Sequence, residues 1–258
     1  MNASEPGLEQ PLIAHLLELR SRLLKILLYI GLAFIPAAIW AKELYSFLAA
    51  PLLRLLPEHG SMIATEVASP FLTPFKLAAV VAFVAALPGV LYQVWAFIAP
   101  GLYRSEQRLV VPLLISSTLL FYAGVAFAYY LVLPGVFKFT LAFAPEGVAV
   151  MTDISKYLDF VLSLFLGFGL TFEVPVAIVL MVWSGFVTPA MLASKRDYVI
   201  VGVFFVAAIM TPPDIFSQVA MAIPMYLLYE LGIVAARWLV PGSKQVEAQA
   251  QLTRKPLE

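Results

Sequence analysis

The stretch Tyr157-Leu-Asp-Phe-Val-Leu-Ser-Leu-Phe-Leu-Gly-Phe-Gly-Leu-Thr-Phe-Glu-Val-Pro-Val-Ala-Ile-Val-Leu-Met-Val-Trp183 decides the fold. It is an apolar run with a carboxylate, Glu173, in its middle. A charge at bilayer depth costs roughly 2.5–3.5 kcal/mol on insertion scales, so an ionisable group there usually faces a partner, a cavity or a passing substrate. Glu173 is therefore a functional candidate by default. The alternative is a protonated glutamic acid hydrogen-bonded inside a helix bundle.

Composition extends that reading to the whole chain. The sequence is 62% hydrophobic and 12% charged, with a mean hydropathy of +0.93, whereas soluble domains carry roughly 25% charged residues. The class is a polytopic membrane protein. Net charge is zero, and no dense basic tract points to nucleic acid. The absence of cysteine excludes disulfides, thiolate nucleophiles and sulfur-ligated metals. The two histidines, His15 and His59, lie outside the apolar runs, which excludes an imidazole site within the membrane.

Outward from residues 157–183, further apolar runs fall at about 23–41, 75–99, 109–133, 198–211 and 215–236. The expected fold is all-α with six transmembrane helices, kinked and concave, forming one domain over residues 1–240 with a polar cytoplasmic tail at 241–258. The first run follows an amphipathic stretch and lacks a small-residue cleavage site, so it reads as an uncleaved first span. Arg20, Arg22, Lys25, Arg104, Arg108, Lys195, Arg196, Arg237, Lys244, Arg254 and Lys255 fall on one side. Lys42, Arg54, Lys76, Lys138 and Lys156 fall on the other. Eleven against five places both termini in the cytoplasm by the positive-inside rule.

Spans five and six read as short. At 1.5 Å per residue, Tyr198 to Thr211 covers about 21 Å and Ile215 to Tyr229 about 22 Å, against a hydrocarbon layer of about 30 Å. Two such helices are expected to thin the bilayer or to sit beside a water-accessible hollow. Pro88, Pro175 and Pro224 fall inside spans two, four and six, where each removes a backbone donor and bends the helix. Pro175 follows Glu173 by two positions, so its kink can free a carbonyl near the carboxylate. Residues 43–74 and 134–155 read as periplasmic caps, the first with short helical segments around Phe47-Leu48 and Met62-Ile63. In the tight turn Thr211-Pro212-Pro213-Asp214, Asp214 can cap helix six, and Gln218 lies one turn further in. No internal repeat is visible, which argues against an inverted-repeat transporter.

On the cytoplasmic side, His15-Leu16-Leu17-Glu18-Leu19-Arg20-Ser21-Arg22 is an amphipathic lead-in to span one, and Glu18 can pair with Arg22 four residues on. The loop Pro100-Gly101-Leu102-Tyr103-Arg104-Ser105-Glu106-Gln107-Arg108 supplies a second carboxylate, Glu106, at the same membrane level. Two carboxylates there can receive a dibasic ligand, or can be ordinary charges at loop ends.

Five motifs taken in order resemble one family. They are His15-Leu-Leu-Glu-Leu-Arg-Ser-Arg-Leu, Met62-Ile-Ala-Thr-Glu-Val-Ala-Ser-Pro-Phe, Leu91-Tyr-Gln-Val-Trp-Ala-Phe-Ile-Ala-Pro-Gly-Leu-Tyr, Phe172-Glu-Val-Pro and Thr211-Pro-Pro-Asp-Ile-Phe-Ser-Gln. Together they are similar to the TatC subunit of the bacterial twin-arginine translocase, over nearly all of residues 9–238. The resemblance implies a receptor for the twin-arginine signal peptides of folded substrates, working with TatA and TatB at the inner membrane. The glutamates that receive the arginine pair in that family match Glu18 and Glu106. Leu17, Arg20, Gln93, Phe97, Pro100 and Tyr103 match positions that shape the same surface. The family's intramembrane glutamate matches Glu173, in a polar patch that partner helices or an inserted signal peptide can meet. The chain departs from some relatives at Gln107-Arg108, where they carry two basic residues.

Arginine binds a carboxylate through two parallel hydrogen bonds that lysine cannot reproduce, so paired carboxylates can prefer paired arginines. No phosphate-binding loop, zinc-binding H-E-x-x-H or serine with a histidine at membrane depth is present, so the expectation is a non-enzyme without cofactor or metal. Energy then comes from the proton-motive force, as the resemblance implies, each charge gaining about 2.3 kcal/mol per 100 mV. The competing class is a proton-coupled transporter of a small solute with Glu173 as its proton site. It leaves Glu18 and Glu106 unexplained. A passive scaffold makes every charge incidental.

Overall fold

A computed structural model of the chain describes residues 9–55, 61–98, 110–143, 151–210 and 215–240. The chain divides into two compact units, Met1–Ala50 with Ala64–Thr118, and Pro51–Ile63 with Leu119–Glu258.

The first unit is built on α1 (Glu9–Ile39) and α3 (Ser69–Ile98), with α2 (Ala41–Leu53) between them in sequence. At 1.5 Å per residue α1 and α3 are each about 45 Å long, beyond the thickness of a bilayer core. They pack through small side chains. Ala37, Ala78 and Ala82 are buried together, edged by Ile30, Ala33, Phe34 and Val81, which lets the two backbones approach without an aqueous hydrophobic drive. Phe47-Leu48 lies in α2, as expected. Pro74 and Pro88 are both carried inside α3.

Further along, α4 (Val110–Phe127), a π-helical turn (Ala128–Val132) and α5 (Leu133–Ala142) follow without a break. Span three therefore does not stop near residue 133, and its helix continues to Ala142. Pro134 falls in the first turn of α5, where a missing amide is tolerated and where the π turn has already shifted the hydrogen-bond register.

The remaining helices are α6 (Ile154–Phe172), α7 (Val174–Trp183), α8 (Pro189–Ala193), α9 (Arg196–Met210) and α10 (Ile215–Leu239). Asp153 starts α6 by accepting from the amides of Ser155 and Lys156 at 2.8 and 3.0 Å, a side-chain N-cap. Gly185 ends α7 with φ at 75°. Its amide donates to the Val182 carbonyl and that of Phe186 to the Met181 carbonyl, the paired bonds of a glycine C-cap. Met62-Ile63 is a strand, β1, not a helical piece, and pairs in parallel with β2 (Thr152–Asp153).

Ile178 and Val182 of α7 pack on Tyr229, Ile233 and Ala236 of α10 in the core of the second unit. Gly232 permits that contact, since a Cβ there would lie 2.9 Å from the Pro175 Cα. Gly169 similarly lets α6 lie against the Phe121 ring of α4.

α9 has 15 residues, about 22 Å, and is short as expected. α10 is not. It has 25 residues, about 37 Å, enough to cross. The expected length of about 22 Å runs only as far as Tyr229, before Glu230; Arg196 and Tyr226 engage that carboxylate, and the helix proceeds to Leu239. Five helical lengths among the described residues are long and apolar enough to span: Ala14–Ile39, Ser69–Phe97, Val111–Ala142, Ile154–Trp183 and Gln218–Leu239.

Candidate functional site

In the first unit, α1 and α3 bring four polar side chains into one network. Glu18 and Arg22 lie four residues apart on α1, the spacing that stacks side chains on one helix face. Arg22 donates to Glu18 Oε1 from Nε at 3.0 Å and from Nη2 at 2.5 Å. Its Nη1 donates to Gln93 Oε1 of α3 at 3.4 Å. The Gln93 side-chain amide in turn donates from Nε2 to the Tyr29 hydroxyl at 3.1 Å. Gln93 is buried, so these two bonds satisfy an amide that would otherwise be costly to place there. One turn before Glu18, His15 stacks on Phe97 with ring centroids 4.4 Å apart.

Exposure separates the two charges. The Glu18 side chain is 37% exposed and that of Arg22 20%, so the carboxylate is the more open partner. Leu17 and Arg20 are exposed. Among the predicted site residues, then, the structure joins Glu18 to Gln93 through Arg22 and sets Phe97 beneath His15. Pro100, Tyr103, Glu106 and Asp214 lie outside the described residues.

In the second unit, Glu173 occupies the joint between α6 and α7, so the break expected from Pro175 falls at the carboxylate itself. The Glu173 amide donates to the Leu170 carbonyl at 3.1 Å, and its carbonyl accepts from the Ala177 amide at 2.9 Å. Pro175 has no amide to offer the Thr171 carbonyl. The Thr171 hydroxyl donates to the Gly167 carbonyl at 2.7 Å. Glu173 Oε1 is buried. The aromatic side of this joint is set by Phe172, which packs on Phe127 of α4 at 5.6 Å between centroids. Gln218 is half-buried on α10.

A third polar group escaped the sequence reading. Arg196, the first residue of α9, donates to Glu230 of α10 through Nε to Oε1 at 2.5 Å and Nη2 to Oε2 at 2.7 Å. The Tyr226 hydroxyl adds a bond to Oε1 at 2.9 Å, and the Tyr229 hydroxyl donates to the Leu192 carbonyl at 2.8 Å. The available signal was Glu230 itself, a carboxylate inside the apolar run 215–236. Beside this fork, Ile200, Val203 and Phe204 of α9 face Ala222, Ile223, Tyr226 and Leu227 of α10 around a hollow of about 210 Å³. Its walls are apolar. No cluster of His, Asp or Glu suited to a metal occurs among the described residues.

The family model described as "Sec-independent protein translocase protein (TatC)" matches residues 14–224. The chain belongs to the TatC family. It is similar to the Sec-independent protein translocase protein TatC of Haemophilus influenzae, with 54% identity over 232 residues, covering 90% of this chain and 91% of that one. It is also similar to the TatC of Escherichia coli K12, with 53% identity over 238 residues and 92% of each chain covered. A crystal structure of a twin arginine translocase receptor TatC superposes with a TM-score of 0.77 at 39% identity, over 87% of this chain and 98% of that one. As a TatC-family member the chain is a multi-pass membrane protein and a component of a protein translocase, a transport subunit and not an enzyme. The small-solute transporter gains no support from any of these relatives.

Proposed function

We propose that the chain is the twin-arginine signal-peptide receptor and core membrane subunit of a Tat translocase that exports folded proteins, driven by the proton-motive force. It sits in the bacterial inner membrane as a six-span domain over residues 1–240, with α9 as the fifth span and both termini cytoplasmic. Residues 43–74 are a periplasmic cap; the second cap is shorter than the expected 134–155, because span three runs on through α5, and it begins only after Ala142. Residues 241–258 are a cytoplasmic tail. Its partners are TatA, TatB and further copies of itself. Glu18 and Glu106 receive the two guanidinium groups of the leader, on a surface shaped by Leu17, Arg20, Gln93, Phe97, Pro100 and Tyr103. Glu173 and Gln218 form an intramembrane polar site, and Asp214, in the periplasmic turn, caps helix six.

The observation that carries this reading is the partly exposed Glu18 carboxylate, which already takes two donors from a guanidinium. A leader arginine can repeat that two-donor approach, and a lysine ammonium cannot. Charged hydrogen bonds contribute roughly 1.5–3 kcal/mol each, so two carboxylates acting together discriminate by roughly two to four powers of ten, less whatever solvent exposure removes. Photo-crosslinking from positions beside Glu18 and Glu106 to a leader bearing Arg-Arg or Lys-Lys tests it. Selective capture of Arg-Arg, lost in Glu18→Gln and Glu106→Gln at unchanged abundance, is expected. Full export by the double Gln variant would remove both residues from the site.

A further inference from the structure

Glu18 is not an empty carboxylate waiting for a ligand. Arg22 already holds its Oε1 through two donors, and among the described residues its other oxygen has no hydrogen bond. Arg22 is also the less exposed member of the pair, and it has a second anchorage in Gln93 Oε1. That anchorage is oriented, because the Gln93 amide is buried and its Nε2 is committed to the Tyr29 hydroxyl. Arg22 can therefore release Glu18 and still keep a buried acceptor.

We propose that Arg22 is a resident competitor for the ligand: it occupies Glu18 in the unliganded receptor, yields it to an incoming guanidinium while staying on Gln93, and so sets the threshold for recognising arginine. This rests on the receptor reading and adds to it a residue that sets the affinity a leader must reach. The physical reason is exchange. A guest must replace an intramolecular guanidinium, so only a group that makes the same two charge-assisted bonds breaks even at the carboxylate. An ammonium gives up one of those bonds and stays below the threshold. Arg22 also places a like charge beside the guest, which raises the threshold for every cation and leaves the fork geometry to separate arginine from lysine.

The test is binding of fluorescent Arg-Arg and Lys-Lys leader peptides to the full-length chain in lipid nanodiscs, for wild type, Arg22→Gln, Arg22→Lys and Glu18→Gln. Arg22→Gln is expected to bind both peptides about two- to tenfold tighter, by a similar factor, because releasing Arg22 costs the same for either guest, so affinity rises while the preference for Arg-Arg is kept. Arg22→Lys, which retains the charge but not the fork, tightens both by less. Unchanged or weaker Arg-Arg binding in both Arg22 variants overturns the proposal and leaves Arg22 as a support for α1. Glu18→Gln separates the two layers. If it binds both peptides like wild type, the receptor reading itself fails. If it loses the Arg-Arg peptide while the Arg22 variants keep wild-type affinity, the receptor reading stands and the competitor falls.

Discussion

Gly124 on α4 is where a single methyl group tests how the Glu173 joint is held. A Cβ at this position would lie 2.6 Å from the Phe168 carbonyl oxygen, 3.0 Å from the Phe168 carbonyl carbon and 3.0 Å from the Phe172 Cγ. Two of those neighbours are backbone atoms of α6 and cannot rotate aside, so Gly124→Ala must push the last turns of α6 away from α4. Phe172 is the residue before Glu173, and Phe127 packs on both Phe168 and Phe172. The displacement is therefore delivered to the joint. Overpacking of this kind costs about 1–3 kcal/mol, set against a gain of about 1 kcal/mol for alanine over glycine within a helix. Gly202→Ala on α9 isolates the steric part, because nothing lies within 4 Å of the Cβ it would add and it carries the same helical gain. The Gly124 variant should melt below the Gly202 variant by roughly 2–12 °C, taking 2–4 °C per kcal/mol for a chain of this size. Thermal unfolding of the two purified proteins in one detergent reads the difference, and export of a reporter substrate should fall in Gly124→Ala alone. Melting temperatures within a degree of each other would refute the close crossing of α4 and α6 on which the argument depends.

Three further outcomes are expected. Glu173→Gln should block or uncouple reporter export in inner-membrane vesicles at normal abundance, and unchanged flux would assign the carboxylate a packing or docking role. Arg196→Gln and Glu230→Gln should each lower the melting temperature, with a double-mutant cycle giving a coupling of about 0.5–1 kcal/mol, since the pair is forked but partly exposed. Gln93→Leu removes the second acceptor of Arg22 and should weaken Arg-Arg peptide binding about two- to tenfold in the nanodisc assay, by leaving Arg22 with no partner but Glu18.

The membrane class, the place of most spans and the carboxylate at depth were all legible in the residues, because each follows from local composition. Twenty or so apolar residues must form a helix in a medium without water, whatever their neighbours do. Pro175 likewise marked the break beside Glu173, since a missing amide acts on its own helix. The extent of span three was not legible, because the π turn at Ala128–Val132 carries no sequence mark and Pro134 reads as a stop. The full length of α10 was not legible either: the expected span stops at Tyr229, and that the helix carries Glu230 onward follows from Arg196, 34 residues earlier, engaging it.

Sequence alone determined that Glu18, Glu173 and the apolar helices exist, and its ordered motifs pointed to the family. The i, i+4 spacing already pairs Glu18 with Arg22, and only the tertiary structure decided which charges reach another helix: Arg22 is also bound by Gln93, and Glu230 closes on Arg196. Helical periodicity follows from the nearest four residues, whereas the partner of a charge depends on which helices pack together, and that is settled by small side chains such as Ala37, Ala78 and Ala82, whose significance appears only once the helices touch.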